Sequence, residues 1–77
     1  MPRKADQEKA LRALADVVVR ERTLKGLTQE EVADAAGISV QYLRRIEAGR
    51  GNPSFLALRG IGSALGVALA DLIRRAR

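Results

Sequence analysis

The stretch TQEEVADAAGISVQYLRRIEA, residues 28–48, reads as two short helices joined by a sharp turn. Thr28 stands as an N-cap with Glu31 three residues on, the reciprocal pairing of a capping box. Val32 and Ala33 fall on the inward face, where the small Ala33 lets a second helix cross close by. Gly37 supplies the positive φ that a tight reversal requires. Ile38 plugs the turn and Ser39 caps the next helix. Leu43 and Ile46 anchor that helix at i, i+3 spacing, and it continues to Ala48 and stops at Gly49.

Anchoring fixes which face of the second helix points outward. With Val40 set at zero and roughly 100° per residue, Leu43 and Ile46 bracket an inward direction near ~270°. Gln41, Arg44, Arg45 and the small Ala48 lie opposite. Glutamine can pair with adenine and arginine with guanine in the DNA major groove. Charge follows the same division. The first helix carries Glu30, Glu31 and Asp34 and no basic residue, whereas the second and its exit loop carry Arg44, Arg45 and Arg50 against Glu47. The acidic helix is therefore expected to face away from phosphates and the basic one towards them.

Outward from this core the helical period continues. Leu11, Leu14, Ala15 and Val18 form one stripe of a helix from about Ala5 to Lys25, closed by Gly26. Val17 and Leu24 mark a second, weaker stripe, available to the last helix or to a partner chain. After a loop at Gly49–Pro53, Ser54 caps a fourth helix that ends at Gly66. Gly60 and Gly62 inside it each cost about 1 kcal/mol of helix propensity, which implies close packing or local irregularity. A fifth helix covers about Leu69 to Arg75. No stretch alternates strictly enough to be a strand. The fold class is all-α: a compact five-helix domain over residues 1–77, with the motif at about 28–48.

Composition narrows the chemistry. The 77 residues hold 14 Lys plus Arg against 9 Asp plus Glu, a formal charge of +5, which suits nucleic acid. There is no cysteine and no histidine, so disulfides, thiolate or imidazole metal sites and the usual neutral-pH general base are excluded. Neither a cofactor, a metal nor a small-molecule ligand is expected, and the chain does not read as an enzyme. Glu30, Glu31 and Asp34 are explained by capping and exposure. No apolar run approaches the roughly 20 residues that span a bilayer, and the start of the chain lacks a signal-peptide core, so a cytoplasmic protein is expected. So small a core needs a further source of stability. With disulfides and metal excluded, a homodimer is expected.

Residues 14–73 resemble the Cro/phage-repressor type helix-turn-helix domain, the Xre family, with its lambda-repressor-like fold. The resemblance rests on Gly26-Leu27-Thr28-Gln29-Glu30-Glu31-Val32-Ala33 leading into helix 2 and on Gly37-Ile38-Ser39 at the turn. It extends through Ile46-Glu47-Ala48-Gly49-Arg50-Gly51-Asn52-Pro53-Ser54 leaving helix 3, and Ala64-Leu65-Gly66-Val67 before the last helix. It implies that Ser39, Val40, Gln41, Arg44 and Arg45 occupy base-reading positions. It implies phosphate contacts for Gln29, Arg50, Asn52 and Ser54, with Gln29 also bracing the recognition helix. Arg22 and Glu47 match a structural ion pair between helices 1 and 3. Val40 departs from the polar residue often found there, and Glu21 sits where an apolar residue is common.

The function this implies is a homodimeric regulator of transcription on a near-palindromic double-stranded operator, because one monomer reads too few base pairs to find a site in a genome. Leu69, Leu72 and Ile73, with the basic end Arg74-Arg75-Arg77, are the expected dimer element. The length resembles the controller proteins of restriction-modification systems. An antitoxin that represses its own operon and a small phage-type repressor stay open, as does a contact with RNA polymerase or a toxin. An adaptor that has lost DNA binding fits poorly with the arginines of helix 3.

Overall fold

Capping chemistry starts the three central helices of the computed structural model, which describes residues 3–76. Thr28 accepts from the Glu31 backbone N–H at 3.0 Å, while the Glu31 carboxylate accepts from the Thr28 N–H at 2.8 Å. Ser39 and Ser54 accept from the N–H groups of Tyr42 and Ala57, each at 3.1 Å. The elements are α1 (Lys4–Leu24), α2 (Gln29–Ala36), α3 (Val40–Glu47), α4 (Phe55–Leu65) and α5 (Leu69–Arg75). No strand occurs among the described residues. Each helix lies within a residue or two of its sequence-based position. Gly37, at φ 73°, takes the left-handed conformation that the turn between α2 and α3 demands.

The helices close over one aliphatic core. Leu43, Ile61, Leu65, Leu72, Val18 and Val32 are its largest fully enclosed side chains, each contributing about 1.5–3 kcal/mol on burial. The most extensive helix–helix packing is that of α2 on α4, and this accounts for Gly60. A Cβ there would stand 2.5 Å from the Ala36 carbonyl oxygen, so only glycine lets the two helices approach this closely. Gly62 is held the same way against the Val67 carbonyl, at 2.6 Å from an added Cβ. Close packing is thus the resolution, and α4 runs through both glycines as a regular helix.

Two expectations change. Leu72 is not part of a dimer surface: it is fully enclosed within its own chain, because α5 packs across α1 and α4 and turns Leu72 into the core. Leu69 is half-buried and Ile73 is 54% exposed. The second stripe of α1 also divides, with Val17 in the core and Leu24 74% exposed. Glu21, the departure from the family pattern, ties the ends of α1 and α5 together by accepting from Lys25 and pairing with Arg75, both at 3.2 Å. Arg74 pairs with Asp71 at 3.0 Å, and Arg77 lies outside the described residues. No single described helix is long and apolar enough to cross a membrane.

These contacts set an acid response. Hydrogen bonds from the Thr28 backbone and side chain hold the Glu31 carboxyl below its ordinary value, and the hydrogen bond from Lys25 does the same for Glu21. Each group favours folding while ionised. That contribution is complete above the unfolded-chain value near 4.5 and is lost as pH falls through the lower folded values. Thermal melts taken from about pH 6 down to about pH 3 should therefore fall more steeply for the wild type than for Glu31→Gln. Parallel curves would show that the capping carboxylate does not contribute.

Candidate nucleic-acid interface

The outward face of α3 carries Gln41, Arg44, Arg45 and, just past the helix, Ala48, all exposed. Opposite them Leu43 and Ile46 are buried in the core. Val40 is half-buried and packs against that core, so only part of its side chain is presented outward. Ser39 is exposed at the helix start, with its hydroxyl engaged in the cap.

A relay of side chains holds this helix in place. Arg22 of α1 donates from Nε to Glu47 Oε2 at 2.8 Å and from Nη2 to Glu47 Oε1 at 2.9 Å. Its Nη1 donates to the Leu27 carbonyl at 3.0 Å, so one guanidinium joins α1, α3 and the chain leading into α2. The Glu47 carboxylate, close by, raises the Arg22 pKa. Glu47 Oε1 also accepts from Gln29 Nε2 at 2.9 Å. Gln29 in turn accepts at Oε1 from Arg44 Nε at 3.2 Å. The amide orientation follows from chemistry, because a carboxylate can only accept and a guanidinium can only donate.

The remaining residues of the implied backbone grip are spread along the exit from α3. Arg50 is exposed, and its backbone N–H donates to the Arg45 carbonyl at 2.9 Å. Asn52 is exposed and lines a groove with Gln7, Ala10 and Leu11 of α1. Ser54 caps α4, and its backbone N–H donates to the Tyr42 hydroxyl at 3.0 Å. Tyr42 therefore clamps the exit loop to α3, a role that sequence reasoning missed because nothing in the spacing of a lone aromatic announces it.

Glu30 is the second omission, and it corrects the division of charge. Its Oε2 lies 3.3 Å from Arg44 Nη2. One acid of α2 thus stands beside the outward face of α3, not away from it. Only the crossing of α2 over α3 brings two residues so distant in sequence together. Among the described residues, no cluster of three or more acidic, histidine or cysteine side chains is placed to hold a metal ion.

The profile of the Helix-turn-helix family matches residues 19–72. The chain belongs to the helix-turn-helix family. This helix-turn-helix chain is 48% identical over 54 residues to the uncharacterized HTH-type transcriptional regulator y4dJ of Sinorhizobium fredii, a match covering 70% of each chain. The clp gene regulator ClgR from Corynebacterium glutamicum superposes with a TM-score of 0.82 at 34% identity, over 87% of this chain and 71% of that one. The restriction-modification controller protein C.AhdI from Aeromonas hydrophila superposes with a TM-score of 0.78 at 29% identity, over 80% of this chain and 94% of the controller. The first two are named as regulators and the third as a controller protein, and the two solved structures share the fold of this helix-turn-helix chain.

Proposed function

We propose that the chain binds a double-stranded DNA operator and regulates transcription from it, as a homodimer on a near-palindromic site. The observation that carries the reading is the outward face of α3. Gln41, Arg44 and Arg45 stand together on a helix whose opposite side is locked into the core. Backbone contacts from Gln29, Arg50, Asn52 and Ser54 would set the register, with Ser39 and Val40 as secondary base contacts. The dimer reading draws on apolar surface left uncovered in one chain: Ile73 on α5, with half-buried Leu69, and Phe55 and Leu56, which are 64% and 71% exposed at the start of α4. A second copy covering this surface supplies stability that so small a core lacks. It also places two recognition helices on half-sites about one DNA turn, roughly 34 Å, apart.

A control function within a restriction-modification system is the more specific reading. It is supported by the likeness to C.AhdI, which extends over nearly the whole of that controller.

Selection of binding sites from random duplexes should return an inverted repeat. On the selected site, Gln41→Ala, Arg44→Ala and Arg45→Ala should each cost about 1–3 kcal/mol and relax specificity at one position per half-site. Arg50→Ala should weaken binding to all sequences alike and reduce the salt slope by about one unit or less. Normal operator binding by the three α3 variants would remove the recognition face. A monomer in sedimentation at high concentration, with and without DNA, would remove the dimer.

A further inference from the structure

Arg44 is held along one edge and open along the other. Its side edge, Nε and Nη2, donates to Gln29 Oε1 at 3.2 Å and to Glu30 Oε2 at 3.3 Å. Both acceptors stand on the first turn of α2. Gln29 is itself fixed by Glu47, which is fixed by Arg22. Among the described residues, Nη1 donates to no protein acceptor. The end of the guanidinium, with one N–H on each terminal nitrogen, is left as a fork. A planar fork of two parallel donors matches the O6 and N7 acceptors of guanine.

We infer that Glu30 is a positioning residue for DNA recognition: with Gln29 it buttresses Arg44, so that the open fork is aimed before DNA arrives. The inference rests on the reading of α3 as the recognition helix. An arginine side chain has many rotamers to lose on binding. One already held by two acceptors loses fewer, and it cannot swing to the nearest phosphate as readily. The buttress therefore favours the one geometry that reads a base over the many that only neutralise charge.

The sign of its effect separates this role from simple electrostatics. Glu30 is a negative charge near the phosphates, so its removal should tighten binding to any duplex by about twofold if charge alone matters. As a buttress it does the opposite on the cognate site. The experiment measures binding of wild type, Glu30→Ala, Glu30→Gln, Arg44→Ala and the double variant Glu30→Ala with Arg44→Ala. Each is tested on the operator selected from random duplexes and on an unrelated duplex. Glu30 is itself exposed, so its variants should fold, and circular dichroism melts check that they do.

Glu30→Ala should loosen the operator by about fivefold while tightening the unrelated duplex. Glu30→Gln keeps an acceptor oxygen and should regain most of the operator affinity. In the Arg44→Ala background, Glu30→Ala should no longer loosen the operator. Equal tightening on both duplexes would overturn the buttress and leave Glu30 as a charge. A loosening that persists without Arg44 would overturn it as well. If Arg44→Ala alone leaves operator binding unchanged, the recognition face itself is wrong, which is a different failure and visible as such.

Discussion

Leu72→Ala should destabilise the folded chain by about 2–5 kcal/mol, through lost burial and the cavity left behind. The side chain is fully enclosed in the one core cluster, to which all five helices contribute, and α5 packs there on α1 and α4. Small domains hold about 5–15 kcal/mol in total, so the loss is a large fraction of the whole. At about 4–8 °C per kcal/mol for a domain of this size, the melting temperature should fall by roughly 10 °C or more. The same melts decide between the two roles considered for this residue. A core residue lowers stability equally at low and high protein concentration. A dimer-interface residue lowers it by changing how strongly the melt depends on concentration. A loss under about 1 kcal/mol would contradict the core assignment.

Glu47→Ala should also be damaging, for an electrostatic reason. The Glu47 carboxylate accepts three hydrogen bonds, two from Arg22 and one from Gln29. Its side chain is 5% exposed and that of Arg22 18%, so the pair is largely shielded from water. Removing one partner strands the other charge in a partly buried place, at about 2–3 kcal/mol, below the loss of a fully buried pair. Replacing both, as in Arg22→Met with Glu47→Leu, removes the stranded charge and should recover much of the stability. It should not recover operator affinity, because Gln29 then has nothing to orient its amide and Arg44 loses its anchor. Urea denaturation reads the first effect and DNA binding the second. Recovery of both by the double variant would show that the relay serves folding alone.

What could be read in advance depended on whether the signal was local. Thr28, Glu31, Ser39, Ser54 and Gly37 act within four residues of themselves, so capping and turn rules placed the three central helices, while the apolar period placed α1 and α5, which have no side-chain cap. The spacing of Leu43 and Ile46 fixed the outward face of α3 without knowledge of any other helix. Leu72 was misassigned because α5 is short, and periodicity shows that a stripe is apolar without showing what covers it. The need for Gly60 was visible only as a propensity cost until α2 was found lying on α4. Tyr42 and Glu30 escaped for a related reason. Each meets its partner across a helix crossing or loop whose angle the sequence does not state.

The three proposed reading positions are unequal in their attachments. Among the described residues, the side chains of Gln41 and Arg45 form no hydrogen bond with the protein, whereas that of Arg44 is tied to Gln29 and Glu30. A protein engineer seeking a new target sequence could exchange the first two as independent letters. Arg44 belongs to a larger word. Changing it without also rewriting Gln29 and Glu30 would leave the Gln29 amide oxygen and the Glu30 carboxylate without the donor they now share.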